Sequence, residues 1–292
     1  MNNQLKTILL FGALSALLVG IGSLIGGGAI HVFLVVALLM NLGAWLFSDA
    51  IVLRMSGARL IAPNEFPALH ALVEELADRA GIPVPRLAIV ADPTPNAFAT
   101  GRNPSRAVVA VTEGLLRLVS PRELRGVLAH ELAHVRNRDT LVASIAAAAA
   151  TAIAYLGNTL QFAAMFGGPS QNDGEGEGNG GGGLLAAFLA PIGATMLQMG
   201  ISRNREYLAD EWAARLTGDP EGLASALGRL QHAGETMLQA GAPAPAAATA
   251  SLAIVNPLAG RSVFRWFATH PPIEQRIERL LAIAAIDARR TA

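Results

Sequence analysis

Between Thr7 and Ser48 the chain carries no Asp, Glu, Lys or Arg. A bilayer core is crossed by about 20 apolar residues, so this run is too long for one span. Gly26-Gly27-Gly28 breaks it near the middle. The pattern predicts a transmembrane helical hairpin over roughly residues 7–25 and 29–47. A cleaved signal peptide is the alternative for the first segment. The single Lys6 on its flank, the lack of an A-x-A site and the second apolar segment directly behind it favour retained helices.

The rest of the composition agrees. Hydrophobic residues make up 52% of the 292 positions and charged residues only 15%, with a mean hydropathy of +0.42. About 25% charged is usual for soluble domains, so membrane spans beside a globular domain are expected. A net charge of +0 gives no support for a nucleic-acid partner. With no cysteine, disulfides and thiolate ligands are excluded, and any metal must be held by His and carboxylate.

Residues 49–139 are soluble in composition. Asn64-Glu65 is expected to open an amphipathic helix that runs to about Ala80 and stops at Gly81-Ile82-Pro83. Strand-like runs follow at Arg86–Ala91 and Ala107–Thr112, and the stretch from Pro95 to Gly101 between them reads as a third short strand or an edge. Ser120-Pro121-Arg122-Glu123 is a capping box with proline at the first helical position, so a helix starts there.

That helix carries His130-Glu131-Leu132-Ala133-His134, an H-E-x-x-H motif. Residues four apart share a helix face, so both imidazoles can reach one metal ion. Zinc suits them, because it takes neutral imidazole nitrogens and a catalytic site uses three protein ligands plus water. Glu131 beside that face can take a proton from such a water. Asp139, five residues past His134, is expected to end the soluble part of the helix rather than bind metal.

Two further charge-free runs follow, Thr140–Asn172 and Gly183–Ile201, separated by the Gly-rich acidic loop 167–183. They are expected to form a second transmembrane hairpin, with a buried hairpin on the soluble domain as the alternative. Lys6, Arg54, Arg59, Arg136, Arg138, Arg203 and Arg205 all flank one side of the four spans. The positive-inside rule therefore puts both termini and the motif helix in the cytoplasm. Residues 202–236 read as helical, interrupted near Gly218-Asp219-Pro220. Pro243, Pro245 and Pro257 argue against a fifth span over the charge-free run 240–260. Ile273, Ile277, Leu280 and Leu281 mark an amphipathic closing helix.

A zinc site on His130 and His134 needs a third ligand. Glu206 and Asp210, four apart on the helix after the second hairpin, share a face. One carboxylate could bind zinc while the other accepts an N–H from a ligand histidine.

A cytoplasmic H-E-x-x-H before a membrane hairpin, then Ser202-Arg203-x-x-Glu206-x-x-Ala209-Asp210, then Thr269-His270-Pro271-Pro272, resembles the HtpX family of membrane-embedded zinc metalloproteases. The chain is more distantly similar to the CAAX prenyl endopeptidases. The HtpX resemblance covers nearly the whole chain, including Pro95-Asn96-Ala97-Phe98-Ala99, and departs at the Gly/acidic loop and the Ala/Pro segment 240–256. It implies Glu206 as third ligand and Asp210 as its support. It further implies His270 beside the zinc, stabilising the oxyanion, although His270 before two prolines could simply cap the final helix. It also implies Asn96, Ala97, Phe98 and Ala99 as the edge that pairs with an extended substrate.

The expected fold is α+β and mostly helical: an integral membrane protein with about four transmembrane helices and a cytoplasmic zincin-like protease domain. Its parts are a hairpin at 1–48, the first half of the protease at 49–139, a second hairpin at 140–201, and the second half at 202–292. The expected activity is a zinc endopeptidase holding one Zn2+, with Glu131 and His270 in catalysis. Its implied substrates are misfolded or damaged membrane proteins, in quality control at a bacterial inner membrane. A CAAX-type processing protease shares the chemistry. A non-catalytic zinc-binding scaffold would have no need of Glu131, and a metal transporter would place ionisable residues inside its spans.

Overall fold

The computed structural model describes residues 3–25, 28–146, 153, 203–240 and 271–291. Helices α1 (Asn3–Ile25) and α2 (Ala29–Leu46) form the N-terminal hairpin, with Gly28 between them in the left-handed region (φ 82°) that favours glycine. They are joined by more than apolar packing. Asn41 Nδ2 of α2 donates to Ser15 Oγ of α1 at 2.8 Å. Interhelical bonds of this kind fix the register of an apolar pair. Among the described residues, α2 is the one helix long and apolar enough to cross a membrane. Its flanks stay bare: Val32, Leu38 and Leu39 are 62%, 60% and 63% exposed. An apolar surface of that extent marks a lipid or protein contact.

After a short helix α3 (Ser48–Met55) comes a four-stranded sheet built from β1 (Ala58–Leu60), β2 (Arg86–Val90), β3 (Ala97–Thr100) and β4 (Val108–Thr112), in the order β1-β2-β4-β3. β2 and β4 pair parallel, with Arg86 opposite Val108, and both edge strands run antiparallel to their neighbours. Side chains alternate across the sheet. Leu87, Ile89, Val109, Val111, Ala97 and Ala99 enter the main core, while Ala88, Val90, Val108, Ala110 and Phe98 pack on the α3 side with Val52. Within the stretch at 95–101, Ala97–Thr100 is therefore a strand, and an edge one. β1 and α3 carry too few residues to have been read from periodicity.

The helix between β1 and β2, α4, spans Pro67–Ala80 rather than opening at Asn64-Glu65. The residue before a proline is disfavoured in helical conformation. Phe66 takes the left-handed region (φ 51°) and Pro67 occupies the first helical position. Glu65 instead serves the turn, accepting the Ala62 N–H at 3.0 Å and the Arg59 guanidinium at 2.8 Å.

Behind the sheet lie α5 (Glu113–Leu118), α6 (Pro121–Arg136), α7 (Arg203–Thr217), α8 (Pro220–Gln239) and α9 (Ile273–Thr291). The capping box of α6 is formed as the sequence predicts. Glu123 Oε2 accepts the Ser120 N–H at 2.8 Å, and Ser120 Oγ accepts the Glu123 N–H at 3.3 Å. Gly126 lets α6 and α8 touch backbone to backbone. A Cβ there would stand 2.9 Å from the Leu223 Cα. Arg122 ties the same two helices with a two-pronged bond to Asp219, the residue capping α8, at 2.6 and 2.7 Å. Paired, charge-assisted bonds of this form are among the stronger ones.

Helix α6 stops at Arg136. Arg138 adopts the left-handed region (φ 57°), and a new helical stretch opens at residue 139 and continues through 146. Asp139 thus begins a helix instead of ending one. Val142, Ile145, Ala146 and Ile153 pack with Leu10, Leu14, Leu18 and Ala37 of the N-terminal hairpin. The remainder of the second predicted hairpin, the acidic loop, the segment 241–256 and His270 lie outside the described residues.

Candidate metal centre

Three helices converge on one buried point. α6 brings His130, Glu131 and His134, α7 brings Glu206 and Asp210, and α9 brings Arg276. His130, Glu131, Glu206, Asp210 and Arg276 are all buried, Arg276 completely.

The two imidazoles present Nε2 to each other at 3.2 Å. Glu206 faces both, with Oε2 3.5 Å from His130 Nε2 and Oε1 3.5 Å from His134 Nε2. Two ligands at about 2.05 Å from a tetrahedral zinc stand about 3.3 Å apart, so the two imidazole nitrogens fit one such ion, and one Glu206 oxygen lies with them in a cluster no wider than 4.8 Å. The donor set, two imidazoles and a carboxylate, is that of a catalytic site with a coordination position left for water.

The opposite ring nitrogens are held by carboxylates. His130 Nδ1 lies 2.9 Å from Asp210 Oδ1, and His134 Nδ1 lies 3.1 Å from Asp139 Oδ2. Each bond fixes its ring with Nε2 turned toward the common point and makes that nitrogen the better donor to a metal. Each carboxylate is in turn held by an arginine. Arg276 grips Asp210 with two bonds of 2.7 and 2.8 Å, and Arg205 donates to Asp139 Oδ1 at 2.9 Å.

Charge follows from this arrangement. Four carboxylates (Glu131, Asp139, Glu206, Asp210) meet two guanidiniums, so a divalent cation brings the buried cluster to neutrality. Burial pushes the Asp210 carboxyl up, but the Arg276 guanidinium and the His130 bond outweigh it and hold the group down at about 2. Burial pushes the His130 imidazolium down, yet its bonds to Asp210 and Glu206 carry it up to about 9. Burial likewise works against the Arg276 charge, and the surrounding carboxylates Asp210, Glu206 and Glu131 raise it well above the usual range.

The comparisons with known proteins agree with this geometry. Residues 63–284 match the profile described as peptidase family M48. The chain belongs to peptidase family M48. It is 50% identical over 284 residues to "Protease HtpX homolog" of Pelotomaculum thermopropionicum, an alignment covering 97% of this chain and 99% of that one. It is 51% identical over 282 residues to the protein of the same name from Pyrococcus furiosus, covering 96% and 95%. Among solved structures, the crystal structure of S. mikatae Ste24p superposes with a TM-score of 0.51 at 20% identity, covering 95% of this chain. The chain spans 65% of that structure's length, and the likeness is one of fold. The protein is thus a metallopeptidase of the HtpX type, and His130, His134 and Glu206 are grouped so that they could hold a metal ion.

Of the residues the sequence singled out, the structure brings His130, Glu131, His134, Glu206 and Asp210 together. Ala97–Ala99 lie in β3, the sheet's edge strand beside α6, and Asn96 anchors its start: the Asn96 carbonyl accepts the Thr112 N–H at 2.9 Å. Sequence reasoning missed Arg276, Arg205 and the bond from Asp139 to His134. Arg276 did leave a signal, since it sits with Ile273, Ile277 and Leu280 in the apolar stripe of α9, where a cation needs a buried partner.

Proposed function

We propose that this chain is a membrane-embedded zinc endopeptidase whose site, like both termini, faces the cytoplasm, and that it cuts misfolded or damaged membrane proteins. The observation that carries the reading is the triangle of His130 Nε2, His134 Nε2 and the Glu206 carboxylate, with Glu131 one residue past the first ligand. Zinc, when bound, supplies a Lewis acid that acidifies water and polarises a scissile carbonyl.

Glu131, buried beside the face of α6 that carries His130 and His134, takes the attacking water's proton and delivers it to the leaving amine. Substrate adds as a strand to the edge of β3. The Ala97, Phe98, Ala99 and Thr100 side chains are buried in the protein, so such pairing reads backbone rather than sequence, which suits a varied set of unfolded substrates. His270, which lies outside the described residues, is given its oxyanion role here on the HtpX resemblance alone. The bare flanks of α2 and the packing of Val142, Ile145 and Ile153 on α1 support the four-span reading, with Asp210 supporting the zinc through His130.

The test is Glu131→Gln beside wild type, both purified from membranes, with zinc content and cleavage of an unfolded protein such as casein measured together. Equal zinc near one per chain and a fall in kcat of about 10²–10⁴ is expected for loss of the base. Cleavage by the variant at the wild-type rate would overturn the mechanism.

A further inference from the structure

The helical stretch that opens at Asp139 meets the metal centre, the sheet edge and the membrane hairpin within a few residues. Asp139 Oδ2 meets His134 Nδ1 at 3.1 Å and its other oxygen accepts from Arg205, the neighbour of Glu206 in α7, at 2.9 Å. Thr140 Oγ1 donates to the Gly101 carbonyl at 2.8 Å, and Ser144 Oγ pairs with Thr100 Oγ1 at 2.8 Å, so the end of edge strand β3 rests on the same stretch. Its apolar side, Val142, Ile145 and Ala146, is seated on Leu10, Leu14 and Leu18 of α1. The break that aims Asp139 back at His134 is made by Arg138 in the left-handed region. That conformation is unfavourable for a residue with a Cβ. Such strain persists only where surrounding contacts hold it.

We propose that Asp139 is a positioning residue for the metal centre, and that through it the N-terminal membrane hairpin sets how firmly the metal is held. The hairpin places the 139–146 helix, that helix places Asp139, and Asp139 fixes the His134 ring while Arg205 ties it to the helix bearing Glu206. The inference rests on the metal-centre reading above and extends it from the ligands to the membrane.

The test uses the full chain in lipid nanodiscs, loaded with zinc, and follows zinc loss to excess EDTA. Wild type, Asp139→Asn, Leu14→Ala and the double variant are compared, with thermal melts of the metal-free forms followed by circular dichroism. Asp139→Asn should lose zinc about 10–100-fold faster, the usual effect of removing a ligand's carboxylate partner. Leu14→Ala should speed the loss several-fold in the wild-type background and not in the Asp139→Asn background. If Asp139→Asn melts early, Arg205→Met, which leaves the carboxylate on His134 but cuts its tie to α7, takes its place and should give a smaller acceleration. Wild-type zinc retention in Asp139→Asn, or a Leu14→Ala effect of equal size in both backgrounds, would overturn the proposal. A wild type that holds no zinc would overturn the metal-centre reading itself, and this inference with it.

Discussion

At the scale of single residues the site is a chain of dependence: arginine holds carboxylate, carboxylate holds imidazole, and imidazole offers Nε2. Arg276 is the least replaceable link. Removing one partner of a buried ion pair leaves the other charge uncompensated, at a cost of about 3–5 kcal/mol. Arg276→Met should therefore lower the melting temperature sharply and weaken zinc retention through Asp210, as read by a thermal melt and by metal analysis. The double variant Arg276→Met/Asp210→Asn should recover part of the stability and none of the zinc retention. The two histidines were legible because residues four apart on a helix are a local pattern; Glu206 and Asp210 repeat it, but the spacing left open which of them would bind, and Glu206 was chosen on the HtpX resemblance. Arg276 and Asp139 were not legible, because what they do depends on partners brought together by folding and not by spacing. Asp139 read as a helix terminus on its own; only beside His134 and Arg205 does its role become visible.

At the scale of elements, α6 is the axis. Its capping box was readable in four residues, and so was its helical face. The close approach that lets α8 lie against it at Gly126 was not, since a glycine in a helix says nothing of its neighbour. Likewise Phe66-Pro67 set the true start of α4 by a backbone rule that outweighed the more visible Asn64-Glu65. Glu123 makes the start of α6 sensitive to acid. Burial raises its carboxyl, but the Ser225 hydroxyl, the Ser120 N–H and hydroxyl and the Arg229 charge together bring it below 4.5. A depressed carboxylate contributes stability that is present above its unfolded value and lost as pH falls through its folded one. Wild type should therefore lose stability faster than Glu123→Gln as pH drops from 6 toward 3, although Glu123→Gln should start about 0.5–2 kcal/mol lower at neutral pH. Urea melts across that range, referred to the same variant at pH 6, check both statements.

At the scale of the whole molecule, two bodies of opposite character share one chain. Among the described residues, the protease half packs its main apolar core between a sheet and six helices, α4 to α9, while α2 displays its apolar residues. Arg102, in the loop after β3, lies over Trp45 near the end of α2, 5.1 Å from the ring, which brings the sheet's edge close to the end of the hairpin. A guanidinium over an indole face is held by the ring's own charge distribution. If the spans run as proposed, alkaline carbonate should leave the chain in the membrane pellet. A cytoplasmically active reporter should work when fused to either end and fail when placed in loop 167–183. An active reporter in that loop would mean that the second hairpin does not cross.

The residues of the site also have an order of manufacture. His130 and His134 leave the ribosome before residues 140–202, and Glu206, Asp210 and Arg276 only after them. At about 5–20 residues per second, several seconds separate the two halves of the site. During that interval a nascent chain owns two imidazoles and no complete metal site, so it cannot hydrolyse its neighbours or itself. On the proposed mechanism, a peptidase whose third ligand is translated behind an apolar segment is armed only when that segment has been made.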